Sequence, residues 1–446
     1  MTEGSYLADD PGGRLVYLSL RSAPATATTQ VAPVRRRVAN TVIVLGLVSM
    51  VTDISTESVN AVLPNYLILI VGLSPQAFGV VNGLYNGVSA MVRLLGGWTA
   101  DRFDHPKWVA FVGYGASAVS KLFLLSAHSF GAFSAIATTD QLGKGLRTAP
   151  RDSMIAASTH PDALGRAFGV HRALDTLGAF LGPLMAFVIL DVVPNDFHSV
   201  FVASAAFAFM GLAALLLIVP DVRPGRTRQP GQPPVQPSTA GRARVPLRQL
   251  MTPRMARLLA AAAVLGLLTI GEAYVFLELQ DRDGLALKYF PLLVVGMNLA
   301  YLALAIPFGR LADRVGRWRV FVGGYVALLL AYLVSGGPAA GPVATCVCLV
   351  LLGAFYAATD GVLAAIAGRI SPPRVRSSAI AAAQTTLALA TAVSTLGFAM
   401  LWSAIGRTDA LLIAGAALAM VLPAGALLLR GADRVRGPLE PEAPAA

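Results

Sequence analysis

The chain has 446 residues, of which 55% are hydrophobic and only 13% are charged. That balance is too apolar for a soluble protein of several domains and is typical of an integral membrane protein. Because lipid offers the backbone no hydrogen-bond partners, only closed barrels or helices of roughly 20 apolar residues span a bilayer. The short alternating segments of a barrel do not occur, so we predict an all-α membrane protein. The formal net charge of +11 does not indicate nucleic-acid binding, since the basic residues are scattered among connections rather than gathered in one patch.

Apolar segments long enough for one membrane helix each follow one another along the chain. We predict about twelve helices, at 41–69, 76–98, 107–127, 129–149, 167–191, 198–219, 257–279, 288–308, 318–336, 341–366, 379–404 and 409–430. Both tails, 1–38 and 431–446, lack a long apolar run, and we expect a disordered N-terminal tail without a signal peptide. Residues 220–254 are rich in proline and arginine, which is typical of a flexible linker. The sequence therefore predicts a six-helix bundle at 39–219 and a second at 255–430.

Basic residues are concentrated in every second connection. Cytoplasmic loops of membrane proteins are enriched in Lys and Arg. Connections that hold residues such as Lys107, Arg151 and Arg369 alternate with connections that hold none, at 70–75, 127–130, 192–197 and 336–342, and only Arg282, Lys288 and Arg407 lie on that second side. We therefore expect a multi-pass protein of a bacterial inner membrane, with both termini in the cytoplasm.

A short motif recurs at equivalent places in the two predicted bundles. A shift of 212 residues places Gly97-Trp-Thr-Ala-Asp101-Arg102 over Gly309-Arg-Leu-Ala-Asp313-Arg314, and Asn86 over Asn298. A shift of 220 residues places Thr139-Asp140 over Thr359-Asp360. The repeat indicates two pseudo-symmetric halves that descend from one six-helix unit.

Six plus six helices, a long basic central connection and the repeated G-x-x-x-D-R motif resemble the major facilitator superfamily. The stretch from Gly309 to Arg317 matches the cytoplasmic-loop signature of that superfamily, whereas the first copy departs from it after Arg102. The resemblance implies alternating access by two rocking halves. It also implies a tight loop, in which glycine permits the turn and Asp interacts with a helix N-terminus. We expect a conformational latch at Gly97, Asp101, Arg102, Gly309, Asp313, Arg314 and Arg317; the alternative is a basic turn that only fixes topology.

A second motif lies in the fifth predicted helix. Gly178-Ala-Phe-Leu-Gly182-Pro183 resembles the G-x-x-x-G-P element that is associated with antiporters in this superfamily. Its glycines would let helices approach closely, and Pro183 would bend the helix. Together with the stretches 53–57, 143–152 and 168–175, it resembles bacterial drug/proton antiporter-like efflux permeases. Gln141 occupies the position of a family arginine in the fourth helix, which argues against an arginine-mediated proton relay there.

Ionisable side chains inside the apolar segments point to a coupling site, because a charge in lipid is costly unless it faces water or a partner. Asp53, Glu57 and Asn60 are spaced i, i+4, i+7 and share one helix face. Carboxyl groups held away from water can load and release protons near neutral pH. We predict proton coupling at Asp53, Glu57, Asp140 and Asp175. The alternative for Asp53 and Glu57 is a structural ion pair with Arg93 or Lys121.

Polar side chains of both bundles are predicted to line a substrate cavity. They are Asn60, Asn82, Asn86, Arg93, Lys121, Glu272, Asn298, Tyr356, Asp360 and Gln384. The first bundle is richer in charge, so we expect coupling there and substrate shape from the second. We interpret His171, beside Arg172, as an interfacial packing residue. Cys346 and Cys348 face opposite sides of one helix, which indicates neither a disulfide nor a metal site.

Three functional hypotheses follow. The first is proton-coupled export, by antiport, of small amphipathic molecules or drugs, in a monomer that uses the proton gradient and no cofactor. The second is proton symport or facilitated uptake of a polar metabolite. The third, a membrane enzyme or a non-transporting receptor, lacks support, because we find no nucleophile–base pair, metal-ligand cluster or phosphate loop.

Overall fold

The computed structural model describes residues 39–84, 88, 92, 105–159, 164–221, 251–371 and 376–430, and its regular structure in these ranges is helical throughout. The predicted tails and almost all of the predicted linker lie outside the described residues. Asn86, Arg93 and the first copy of the repeated motif also lie outside them. The bundle boundaries in these regions therefore stay predictions.

Within these ranges each bundle contains six helices, and the seventh helix along the chain is broken. In the first bundle they are α1 (Asn40–Asn65, continued by a π-helical turn Tyr66–Ile70), α2 (75–84 of its described part), α3 (Pro106–Leu124), α4 (Phe130–Ala157), α5 (Leu164–Val192) and α6 (Phe197–Leu217). In the second they are α7a (Pro253–Gly266), α7b (Glu272–Arg282), α8 (Phe290–Val315), α9 (Arg317–Ser335), α10 (Pro342–Ile370), α11 (Arg376–Ile405) and α12 (Arg407–Leu429).

By length and composition alone, eight helical stretches within the described residues could cross a membrane. They include α1 with its π-helical turn, α5, α6 and the five helices α8 to α12. The others are shorter or more polar: α7a and α7b are two short pieces, and α4 contains Asp140, Lys144, Arg147, Arg151 and Asp152. Helices that fail the length and composition test thus include α4, which carries several charged groups.

The two bundles repeat one packing pattern. In the first, α1 packs on α5 and α6, while α3 packs on α4 and α6. In the second, α7a packs on α11 and α12, while α9 packs on α10 and α12. Each pair in the second bundle is the corresponding first-bundle pair moved six helices along the chain. The bundles meet through α5 with α8 and, reciprocally, through α2 with α11. This confirms the predicted all-α fold with two pseudo-symmetric halves.

The seventh predicted helix, 257–279, is wrong as a continuous element. The chain leaves α7a at Gly266 and re-enters helix at Glu272. Tyr332 of α9 satisfies the unwound backbone, because its hydroxyl accepts a hydrogen bond from the Ile270 N–H at 2.9 Å and donates one to the Leu268 carbonyl at 3.2 Å. Buried backbone groups must be paired, so this distant tyrosine makes the break possible.

The second G-x-x-x-D-R motif is also placed differently from the prediction. Residues from Gly309 to Val315 continue α8 as its last two turns, and Gly309 has open space around it. The turn is made by Gly316, whose φ of 102° favours glycine. Beyond that turn, Arg317 pairs with Asp313 at 3.0 Å across the end of α8 and the start of α9.

The fourth helix extends further than predicted, to Ala157 rather than residue 149. The polar stretch that we assigned to a connection is therefore helical. It brings Arg151 onto the same helix as Lys144 and Arg147, where Arg151 donates a hydrogen bond to Ser49 of α1 at 3.0 Å.

We call the end of the molecule that holds the α8–α9 turn at Gly316 the basic end, and the other one the opposite end. The opposite end holds the connections at 71–74, 125–129, 193–196, 283–289, 336–341 and residue 406. Contacts between these connections and the neighbouring helix ends show that they share one end: Tyr66 packs on Phe197, Lys288 pairs with Asp191 and Asp283 accepts from Gly341.

Two glycines bring α1 and α5 into close contact. A Cβ atom at Gly178 would lie 2.4 Å from the Met50 carbonyl oxygen, and one at Gly182 would lie 2.8 Å from the Ile54 carbonyl oxygen. Any side chain at these positions would push α1 away from α5. The G-x-x-x-G-P element therefore acts as a contact surface for the segment of α1 that carries Asp53.

We expect Gly178→Ala to destabilise the protein by about 1–3 kcal/mol, the usual cost of overpacking a tight contact. Gly169→Ala is the matched control, because Gly169 lies on the same helix with open space around it. The measurement is thermal unfolding in detergent. Equal melting temperatures for the two variants would contradict the role of the α1–α5 contact.

A polar knot ties the opposite end of the second bundle together. Asp283 pairs with Arg282 at 2.8 Å and accepts hydrogen bonds from the Thr345 hydroxyl and, at 3.0 Å, from the Gly341 N–H. Burial opposes the charged form, but the hydrogen bonds and the guanidinium outweigh it and lower the pKa of Asp283 to about 2.

Because the folded-state pKa of Asp283 is lowered, its stabilising contribution is present above the unfolded-state pKa near 4 and is lost as the pH falls through about 2. We expect Asp283→Asn to lower the melting temperature at pH 7, with the difference from the unmodified protein shrinking below pH 4. Asp409→Asn, at an exposed carboxylate, is the control. A difference that stays constant down to pH 2 would contradict this account.

Candidate functional site

Three helices of the first bundle bring opposite charges together in its interior. We call this set the acid–base cluster, and it consists of Asp53 and Glu57 of α1, Lys144, Arg147 and Arg151 of α4, and Asp175 of α5. Three carboxylates face three cations, so the set is balanced in charge. That balance matters because an unpaired charge inside a membrane protein is expensive.

Asp53 lies at the centre of the cluster. Its Oδ1 is 3.6 Å from Nη2 of Arg147, whose side chain is only 4% exposed and lies over the ring of Tyr114 at 4.5 Å. The carboxyl group of Asp53 also interacts directly with that of Asp175 on α5. The α1–α5 contact thus brings carboxyl groups of two different helices together.

Glu57 lies one turn further along α1 and is more accessible. Its Oε1 is 3.7 Å from Nζ of Lys144, and its Oε2 accepts a hydrogen bond from Asn60 at 3.2 Å. The Glu57 side chain is 26% exposed and that of Lys144 is 36% exposed. A separation of 3.7 Å is too long for a hydrogen bond, so this pair is held by charge and can separate without breaking a directional contact.

Arg151 closes the cluster towards the basic end. It contacts Asp175 at 3.7 Å and Asp152 at 3.1 Å. His171, one turn before Asp175 on α5, is buried near them, and neither ring nitrogen has a hydrogen-bond partner among the described residues. Its burial inside the bundle differs from the interfacial position that we expected.

Asp140 forms a separate pair with Lys121 between α4 and α3. The Lys121 Nζ lies 2.8 Å from Asp140 Oδ1, the Ser117 hydroxyl donates to the same oxygen, and both charged side chains are nearly buried. One hypothesis paired Lys121 with Asp53 or Glu57. In the structure Lys121 pairs with Asp140 instead. A cavity of about 30 Å³, roomy enough for a single water, separates this pair from Asn60.

The second bundle contributes fewer charged groups to its interior. Tyr356 donates a hydrogen bond to Glu272 at 2.7 Å, and Asp360 interacts with Tyr301. Asn298 and Gln384 are half-buried, whereas Asn82 lies against Gly271 at the break of the seventh helix. The predicted cavity residues are thus dispersed along the two bundles rather than gathered into one described pocket.

Among the described residues, one group of contacts between the bundles lies at the opposite end, where Tyr274 of α7b is the central residue. Its hydroxyl donates to the Pro75 carbonyl of α2 at 3.1 Å, and its ring centroid lies 4.9–5.2 Å from those of three further aromatic residues. We call the four rings the aromatic plug: Phe78, Tyr274, Phe398 and Trp402. Beside it, Lys288 pairs with Asp191 at 2.8 Å and Tyr289 stacks on Phe187.

Our sequence analysis did not identify the plug. The spacing of Lys144, Arg147 and Arg151 in the sequence places all three on one helical face, and α4 carries them in this way. Trp402 lies near the end of an apolar segment, which by itself gives no sign of a contact between the bundles. No sequence signal relates Phe78 to Tyr274, since they come from different bundles.

Within the described ranges, no group of three or more His, Cys, Asp or Glu side chains is placed to hold a metal ion. Cys346 is exposed and Cys348 is buried, and both are free thiols.

Comparisons with known proteins agree with this architecture. A protein of Methanocaldococcus jannaschii, described as an uncharacterized MFS-type transporter, is 27% identical over 378 residues, which are 82% of this chain and 89% of that protein. An uncharacterized protein of Mycobacterium tuberculosis is 28% identical over 178 residues, which are 40% of this chain and 42% of that protein.

Solved structures show the same fold at low identity. The nucleoside transporter NupG superposes with a TM-score of 0.73 at 15% identity, with 88% of this chain and 99% of that chain covered. A mutant of the peptide transporter POT, solved in complex with alafosfalin, superposes with a TM-score of 0.71 at 17% identity, with coverage of 88% and 94%. The family model described as Major Facilitator Superfamily matches residues 45–297 and 281–445. The chain therefore belongs to the Major Facilitator Superfamily and is a multi-pass membrane transporter rather than an enzyme.

Proposed function

We propose that the protein exports small amphipathic molecules in exchange for protons, and that the acid–base cluster is its coupling site. The observation that carries the proposal is the meeting of three carboxylates with three cations between α1, α4 and α5. Such a concentration of ionisable groups inside a membrane bundle marks a proton or substrate pathway.

The loose geometry of the cluster supports a working site rather than a structural one. The three pairs are separated by 3.6–3.7 Å, whereas the buried Lys121–Asp140 pair is held at 2.8 Å with an extra hydrogen bond. A proton that neutralises Glu57 removes one of the carboxylates that interact with Lys144, which also interacts with Asp53. We expect proton binding at Glu57 to loosen the contact of α1 with α4 and so to compete with substrate binding.

Closure at the opposite end supports the alternating-access part of the proposal. The aromatic plug and the Lys288–Asp191 pair join the bundles there, while Glu57 and Lys144 remain partly exposed. Charged groups avoid lipid, so that exposure is to water inside the bundle. In this state we expect the cluster to exchange protons with water at the basic end. Rocking of the bundles would then give it access to water at the opposite end.

A second candidate function is proton symport for uptake of a polar metabolite. The Glu272–Tyr356 hydrogen bond favours it, because this pair gives the second bundle a polar group that a hydrophilic substrate can contact. The solved relatives NupG and POT are described as nucleoside and peptide transporters. Their sequence identity to this chain is too low for their substrates to be assigned to it. The direction of the coupled proton flux distinguishes symport from antiport.

The test is substrate-induced proton flux in liposomes that contain a pH-sensitive dye. Pooled amphipathic dyes, antibiotics and metabolites are added under an imposed proton gradient. We expect at least one amphipathic compound to move against the protons. Proton movement in the same direction as the substrate would overturn antiport in favour of symport.

Matched variants locate the coupling site. We expect Glu57→Gln and Asp53→Asn to reduce coupled flux at least about tenfold, equivalent to roughly 1.4 kcal/mol, because each removes a carboxylate that holds the exchanged proton. Asp409→Asn, at an exposed carboxylate in the first turn of α12, should leave flux unchanged. Substrate flux that is independent of the gradient and equal in all three variants would assign the cluster to structure alone.

A further inference from the structure

A cavity of about 420 Å³ lies at the opposite end, between the two bundles. Ile68, Leu69 and Pro75 form its wall on the first bundle, and Leu277, Trp402 and Arg407 form part of its wall on the second. The volume falls in the range of about 300–1,000 Å³ that is usual for small-molecule sites. Apolar and polar groups share the wall almost equally, so the cavity fits a molecule with an apolar body and a polar end.

One corner of the cavity is charged. Nη1 of Arg407 lies 3.1 Å from Oδ2 of Asp281, and the guanidinium lies 5.6 Å from the Trp402 ring centroid. An arginine carries five N–H donors in a planar fork, and the contact with Asp281 occupies one of its nitrogens. The Asp281 side chain is 65% exposed and that of Arg407 is 36% exposed. The pair is neutral overall, and the guanidinium keeps further N–H donors that a second anionic group in the cavity can use.

One residue of the aromatic plug, Trp402, forms part of the cavity wall. Trp402 packs on Tyr274, whose hydroxyl holds the Pro75 carbonyl of α2. Opening of the opposite end would separate Pro75 from Tyr274 and pull the two walls apart. A molecule in the cavity therefore contacts both bundles only while the plug is closed.

We propose that this cavity is a binding site for a small amphipathic anion, in which Arg407 pairs with the anionic group and Leu69, Leu277 and Trp402 hold the apolar body. The fork of Arg407 matches the geometry of a carboxylate. Since the site is complete only with the plug closed, its occupation stabilises the closed opposite end, and a ligand added from that side reduces transport. The site is separate from the acid–base cluster, and its existence does not depend on proton coupling.

The test is equilibrium dialysis of radiolabelled 4-phenylbutyrate against the purified full-length protein. The matched probes 4-phenylbutanol and 4-phenylbutylamine share its apolar body and differ in charge. We expect saturable binding of the anion at one site per chain, at least about tenfold tighter than that of either probe, which corresponds to roughly 1.4 kcal/mol. Equal and non-saturable uptake of all three compounds, as for partition into detergent or lipid, would overturn the proposal.

Two variants assign the binding to this cavity. Arg407→Gln should remove the preference for the anion, and Leu69→Trp, at a side chain that is 52% exposed, should block binding by filling the space. Arg257→Gln removes an exposed cation near the start of α7a, at the basic end, and should change nothing. Unchanged binding in Leu69→Trp would overturn the proposal even if Arg407→Gln folded poorly.

A locked protein tests the dependence on conformation. The substitutions Asp191→Cys and Lys288→Cys are made in a background with Cys346→Ser and Cys348→Ala. A thiol-reactive crosslinker between the two new thiols then holds the opposite end closed. We expect 4-phenylbutyrate to bind the bridged protein at least as tightly as the unbridged one, although transport is lost. Loss of binding on bridging would overturn the preference for the closed state. This readout is independent of whether protons are coupled.

Discussion

The close approach of α1 and α5 is the constraint on which the interior of the first bundle depends. Gly178 and Gly182 remove the side chains that would separate the two backbones. Only at that distance does Asp53 reach Asp175, and only then do both lie within range of the arginines of α4. The contact of α1 with the glycine face of α5 thus determines where the charged side chains of the first bundle meet.

Two kinds of ion pair coexist a few turns apart, and their difference is physical. Lys121 and Asp140 are nearly buried, close together and hydrogen-bonded, so the desolvation cost of each is offset by a fixed partner. The pairs of the acid–base cluster are longer, and the exposure of their side chains runs from 4% for Arg147 to 36% for Lys144. The short pair stabilises the contact of α3 with α4, whereas the longer pairs fix their partners less tightly.

The two bundles share a packing pattern but differ in where their polar and aromatic side chains lie. The first concentrates charge between α1, α4 and α5, while the second breaks its first helix and turns Tyr274 towards α2. That break requires Tyr332 to satisfy the freed backbone. The same break begins α7b, which supplies Tyr274 to the aromatic plug and Leu277 to the wall of the cavity at the opposite end. The two halves thus share one packing pattern and differ in the contacts that their first helices make.

The sequence by itself determined the membrane class, the two six-helix halves and the helix faces that carry Asp53 and Glu57, because hydropathy and helical periodicity are local properties. It also singled out Gly178 and Gly182, since small residues at that spacing permit close packing. Tertiary structure alone decided that Lys121 pairs with Asp140, that Gly316 rather than Gly309 makes the turn, and that the seventh helix is broken. The ion pair and the helix break depend on a partner from another helix, and neither composition nor periodicity encodes which helix that is. The aromatic plug belongs to the same class, because Phe78 and Tyr274 meet only when the two halves pack.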